Sequence, residues 1–316
     1  MDTMSETRSF LRTIGLPGGD ATDLPTSTTR FPDGAQVRVE IPSVEGPRCL
    51  EAVLAASEDH GIIVHRASQG SGAFMLSRPE LLTMAGLAAT AQMEVSLFAR
   101  PSAGWGTSAT ARTSGGAGLA AAAHGQEQVV HALEDARRAA AHGFRSVLIS
   151  DIGVLRVFDQ MRRAGLFPET MQAKVSVAIH VANATIAMLL CELGADSINL
   201  ATDCSLAEIA AIRSVVTVPL DVYIESPDSV GGYSRQYEVA ELVRVGAPIY
   251  LKFGLRNAPD IYPSGTHLEA QAVRASTERV RRAAIGLELL RQYAPDSVIS
   301  EVGAEGLAIP VVDPAL

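Results

Sequence analysis

Ser197-Ile198-Asn199-Leu200, a helix-periodic run over 205–214, and then Leu220-Asp221-Val222-Tyr223-Ile224-Glu225 read together as strand, helix, strand. The same unit repeats on both sides. Upstream, strands are predicted at Val37–Pro42, Gly61–Arg66, Met93–Arg100, Ser146–Asp151 and Val175–His180, and downstream at Pro248–Phe253. Helices are predicted near 47–59, 78–91, 126–142, 153–164, 184–193, 205–214, 235–245 and 266–292. Ser77-Arg78-Pro79-Glu80 has a capping-box pattern, and Gly143, Gly165, Gly194 and Gly246 follow helical runs where a left-handed cap suits glycine. Eight such units predict a closed (β/α)8 TIM barrel over 36–292, with an N-terminal arm over 1–35 and a C-terminal extension over 293–316. A doubly wound open sheet is the alternative, but no GxGxxG follows the first strand and no GxxxxGK[ST] occurs.

Composition narrows the function. Of 316 residues, 47% are hydrophobic, 19% charged and 5% aromatic, so aliphatic side chains and alanine must fill the core. A net charge of −9 argues against nonspecific binding to nucleic acid or to an anionic membrane. Cys49, Cys191 and Cys204 contain no CxxC and are too few for a disulfide framework or an iron–sulfur cluster. The first twelve residues lack an apolar signal segment and no apolar run is long enough to span a membrane, so a cytoplasmic protein is expected.

In a TIM barrel, reactive groups gather where strands run into the loops that follow them. The candidates there are Glu40, Ser43, Glu45, His65, Arg66, Gln69, Arg100, Asp151, His180, Asn183, Asn199, Thr202, Asp203, Glu225, Asp228, Lys252 and Arg256. Glu40, Asp151, His180 and Glu225 each end an apolar run, and together they could hold a divalent ion such as Mg, Mn or Zn. The competing reading pairs them with Arg38, Arg66, Arg100 or Lys252 in ion pairs. Glu40, His180 and Glu225 are expected to converge at the mouth as catalytic groups together with Lys252. Lys252 could form a Schiff base, act as a base or neutralise an anion, and its structural alternative is a pairing with Glu225 or Asp221.

Arg66 and Arg100 beside glycine-rich turns suit a substrate carboxylate or phosphate, with Gln69 and Asn199 completing the contacts. The Gly/Ser/Thr/Ala-rich segment Pro101–His124 contains the only tryptophan, Trp105, and is predicted to be a substrate lid or a subunit contact. Alanine- and leucine-rich outer helices and the long arm predict a homo-oligomer.

Gly194-Ala195-Asp196-Ser197-Ile198-Asn199, Ser205-Leu206-Ala207-Glu208-Ile209 and Pro219–Ser226 resemble the sixth and seventh units of the collagenase-like peptidases, peptidase family thirty-two. The resemblance implies a barrel fold and a hydrolase. Many members of that family carry four cysteines for an iron–sulfur cluster, which the three cysteines here do not supply. No HExxH, Ser–His–Asp or Cys–His arrangement is evident for literal peptidase chemistry. The expected function is therefore cleavage of a C–N or C–C bond in a carboxylate- or phosphate-bearing small molecule. It would be metal-assisted hydrolysis or lysine-dependent lysis, with a non-catalytic scaffold as the competing class.

Overall fold

The computed structural model describes residues 3–14, 23–100 and 122–312. Eight parallel strands close in chain order into one barrel. They are β1 (Val37–Pro42), β2 (Arg66–Ser68), β3 (Glu94–Phe98), β4 (Ser146–Ile149), β5 (Gln172–Val175), β6 (Ser197–Asn199), β7 (Leu220–Glu225) and β8 (Ile249–Phe253). The main helices are α1 (Thr3–Thr13), α2 (Pro47–His60), α3 (Arg78–Thr90), α4 (Gln126–Ala141), α5 (Ile152–Arg163), α6 (Ala184–Glu192), α7 (Leu206–Arg213), α8 (Val239–Gly246) and α9 (Glu269–Tyr293). None among the described residues is long and apolar enough to cross a membrane.

The helix expectations hold to within a few residues, and Ser77 with Glu80 forms the expected capping box. Two strands shift. β2 begins at Arg66, where the predicted strand ended, because Ile62 and Val64 belong to the approach to the barrel. β5 ends at Val175, where the predicted strand began, and 177–179 form a 3-10 turn instead. The apolar run Val175–Ile179 attracted the strand prediction, but its latter half follows the barrel wall. The expected irregular arm contains α1.

Strand alternation divides the core. Val37, Val39 and Ile41 of β1 face outward and are buried under the helices, as are Val95 and Leu97, Val147 and Ile149, and Leu220, Val222 and Ile224. The inward positions are largely polar: Arg38 and Glu40, Arg66 and Ser68, Glu94 and Ser96, Lys174, Asn199, Asp221 and Lys252, all buried. Branched apolar side chains usually fill this space. Apolar packing therefore lies between barrel and helices, while the interior holds charge.

The N-terminal end of the barrel is sealed. Arg38 donates to Ser300 Oγ at 3.0 Å and to the Glu305 carbonyl at 2.6 Å, and stacks on Phe31 from the arm at 4.1 Å. His65 accepts from the Val39 amide at 3.0 Å through Nδ1, and its Nε2 donates to the Ser300 carbonyl at 2.8 Å. Burial holds His65 down at about 4, so this imidazole is neutral and structural.

A second buried acid fixes the loop after β2. Asp135 of α4 accepts from the Ala73 amide at 2.9 Å, and burial pushes its carboxyl up to about 7. A folded pKa above the ordinary 3.8 means that the folded state holds the proton more tightly. Stability on this account is full below the ordinary value and is lost as pH rises toward about 7. Asp135→Asn should therefore match the parent at pH 4 and exceed it by on the order of 2 kcal/mol at pH 8 in urea unfolding. An equal difference at both pH values would remove the argument.

Candidate functional site

Strand register sets the interior in layers. The odd strands supply Glu40, Ser96, Lys174 and Asp221 to one layer, and the even strands supply Ser68, Leu148, Asn199 and Lys252 to the layer above, nearer the C-terminal mouth. Glu40 is the centre of both. Its Oε2 takes Lys174 Nζ and lies 3.3 Å from Arg66, while its Oε1 accepts from Ser68 Oγ at 2.5 Å and lies 3.1 Å from Lys252 Nζ. Lys174 also reaches Asp221 at 3.2 Å, and Arg66 reaches Glu94 at 2.6 Å and Asp221 at 3.1 Å. Three cations thus face three carboxylates, all buried.

Burial pushes the Glu40 carboxyl upward, but Lys174, Lys252 and Arg66 outweigh it and hold the group well below the usual carboxylate range. Burial lowers Lys174 to about 8, with Asp221 and Glu40 opposing and Lys252 and Arg66 adding to the fall.

Lys252 is the member turned toward the mouth. With its amide oriented to satisfy both ends, Asn199 accepts from Lys252 Nζ at 2.9 Å and donates to the Asp221 carbonyl at 3.1 Å. The ammonium lies 4.6 Å from the centre of the Tyr223 ring, a cation–π contact. Burial, then the Glu40 charge, raises the Tyr223 phenol far above its ordinary value, so it remains a proton donor.

The mouth above is shaped by loops. Ser43, just past β1, has a left-handed φ of 61° and hydrogen-bonds through its hydroxyl to Tyr262. Glu45 accepts from the Gly70 amide at 2.8 Å and from the Ser71 hydroxyl. Gly70 is required at its position, since a Cβ there would lie 2.4 Å from the Tyr262 ring. Gln69 is occupied with its own turn, donating to the Gly72 carbonyl at 3.0 Å and accepting from its amide at 2.9 Å. Arg100 packs 5.2 Å from the Phe98 ring centre, and burial lowers its guanidinium despite Tyr262, Asp260 and Glu45 nearby.

The expected metal set is not assembled. Asp151 caps α5, accepting from Val154 at 2.9 Å and, through its other oxygen, from Ala123 at 2.9 Å. His180 is exposed, in a left-handed conformation after the 3-10 turn, because β5 ends five residues earlier than the predicted strand. Glu225 accepts from the Arg256 amide at 2.9 Å and lies 3.4 Å from Arg282. Glu40 is enclosed by cations. Among the described residues, no three His, Cys, Asp or Glu side chains are grouped to hold a metal ion. These residues do not fit a divalent ion, and the ion-pair reading holds for Glu40. Arg66 lies inside the barrel below Lys252 rather than at the mouth, and Trp105 falls outside the described residues.

Lys174 was missed because the β5 prediction started one residue after it. The signal was present in Gln172-Ala173-Lys174-Val175, where polar and apolar residues alternate as they do in Val37-Arg38-Val39-Glu40.

Residues 119–236 match the model of the family described as Peptidase family U32. The segments that carry the resemblance, 194–199, 205–209 and 219–226, all lie within that span. No curated protein matches the chain. Among solved structures the chain is similar to a U32 peptidase at 16% identity and a TM-score of 0.40, covering 62% of this chain and 72% of that one. It is also similar to a truncated 3-deoxy-D-arabino-heptulosonate 7-phosphate synthase from Thermotoga maritima at 14% identity and a TM-score of 0.43, covering 87% and 95%. Likenesses this distant carry no argument about ligand or reaction.

Proposed function

We propose that this barrel, which belongs to peptidase family U32, is a lysine-dependent lyase. It would cleave a C–C or C–N bond in a small carboxylate-bearing carbonyl compound. One observation carries the reading: Lys252 and Lys174 share Glu40 inside the barrel, and Lys252 faces the C-terminal mouth. In this reading the neutral amine of Lys252 adds to the substrate carbonyl, forming a C–N bond, and loss of water leaves a protonated imine. That cation accepts the electron pair released when the adjacent bond breaks. Lys174 keeps a second positive charge beside the amine, Asn199 fixes its direction and Tyr223 supplies a hydroxyl that stays protonated. The hydrolytic alternative needs a water activated by a metal, and among the described residues no three His, Cys, Asp or Glu side chains are grouped to hold one.

The test is reductive trapping. The full chain is incubated with pyruvate, glyoxylate or acetaldehyde and cyanoborohydride, and its peptides are mapped by mass. A reduced adduct on Lys252 is the expected result. No adduct on any barrel lysine with all three carbonyls would remove the lyase reading and leave the non-catalytic one ahead.

A further inference from the structure

The deeply buried arginines differ in how they are satisfied. Arg66 has three carboxylates, and Arg38 has Ser300, Tyr250 and the Glu305 carbonyl. Arg213 donates to four carbonyls, those of Gly246, Val216, Val218 and Pro248, at 2.9 to 3.1 Å. Arg235 pairs with Glu238 at 2.6 Å. Arg279 of α9 is only 4% exposed, yet its one hydrogen bond among the described residues is a long 3.4 Å contact to the Ser43 carbonyl. Its Nε has no partner, and no carboxylate lies within ion-pair distance among the described residues. The stretch 101–121 contains no acidic residue that could serve. A buried cation left this way is costly unless something else completes it.

Its position says what would complete it. α9 runs down the outside of the barrel after β8, so a long side chain from its upper half leans back toward the mouth. Burial raises Tyr223, Tyr262 and Glu45, and the Arg279 charge opposes that rise in each. Ser43 follows the C-terminal end of β1, so the Arg279 guanidinium that reaches its carbonyl stands at the mouth end of the barrel. Glu45 forms no ion pair with Arg279: that carboxylate accepts from the Gly70 amide and the Ser71 hydroxyl. Ser43, held in its left-handed conformation, keeps a hydroxyl paired with that of Tyr262 beside the guanidinium.

We infer that Arg279, with the hydroxyls of Ser43 and Tyr262, forms an anion subsite that binds the carboxylate of a 2-oxo acid whose carbonyl faces Lys252. The orientation toward Lys252 rests on the lyase reading above, whereas the anion subsite itself does not. A guanidinium fork suits a planar carboxylate, and the hydroxyl of the Ser43–Tyr262 pair that is not donating to its partner can donate to a remaining lone pair. The role expected of Arg66 at the sequence level thus passes to a helix residue.

The probe is oxamate, which has the carboxylate of a 2-oxo acid but no carbonyl that forms an imine. Calorimetry on the full chain should show oxamate binding, weakened at least tenfold in Arg279→Met and several-fold in Tyr262→Phe. Because Arg279 has no counter-ion among the described residues, Arg279→Met should melt no lower than the parent. A parent that does not bind oxamate, or an Arg279→Met protein that binds it equally well, would overturn the subsite. So would an Arg279→Met protein that unfolds or loses stability and is restored by Arg279→Lys, since that marks a structural cation. Oxamate binding that follows the prediction while pyruvate leaves no adduct on Lys252 would instead count against the lyase reading and leave the anion site standing.

Discussion

Glu40→Gln should lower the free energy of unfolding by about 3–5 kcal/mol, the usual loss when one partner of a buried ion pair is removed. Glu40 is completely buried and is contacted by Arg66, Lys174 and Lys252. Without its charge, three cations would face only Glu94 and Asp221 in a space closed at the N-terminal end. The pH dependence follows in sign. A carboxyl held below its ordinary 4.5 contributes stability that is present above that value and is lost as pH falls beneath it. The gap between parent and Glu40→Gln should therefore narrow on acidification below about 4.5. Guanidinium unfolding at pH 7 and pH 3 measures both effects. A loss of less than about 1 kcal/mol at neutral pH would mean that the interior tolerates the imbalance and that Glu40 is not its centre.

Lys252→Arg should abolish the trapped adduct, reducing its yield about 100-fold or more, while leaving the melting temperature within about 4 °C. The guanidinium keeps the positive charge beside Glu40 and can stack on Tyr223, but it cannot form an imine at neutral pH. Peptide mapping separates the two lysines. An adduct that persists on Lys174 would transfer the nucleophile to the lower layer and contradict the orientation proposed here. Lys174 and Lys252 are the only lysines in the sequence, so an adduct confined to the N-terminal amine would show that trapping is indiscriminate chemistry at an exposed amine.

The site was partly legible. Glu40 and Lys252 stood out because a charge inside a β-rich run needs a partner, and each proved to be the other's. Asn199, expected to contact substrate, hydrogen-bonds Lys252. Asp151 and His180 misled because a polar residue after a strand can equally cap the next helix or sit on an exposed turn. Arg279 carried no local sign at all. On a helical pattern it reads as one more charge on a solvated face, and only the packing of α9 against the barrel buries it.

The alternation of eight β-rich runs with eight helical ones determined the closed barrel, because parallel strands need helical crossovers and a complete ring removes every edge. The strand alternation in Val37-Arg38-Val39-Glu40 and Leu220-Asp221-Val222-Tyr223 likewise carried the division between apolar exterior and charged interior. Tertiary structure decided which charges meet. Glu40 and Lys174 lie 134 positions apart, and their meeting depends on the start of β5 and on the stagger of the ring. A strand period of two residues reverses the facing of every side chain with each one-residue slip, so small errors at strand ends move a lysine from wall to interior. Arg279 depended on still more, since the angle at which a helix lies on a barrel is set by the packing of both surfaces and not by either sequence segment alone.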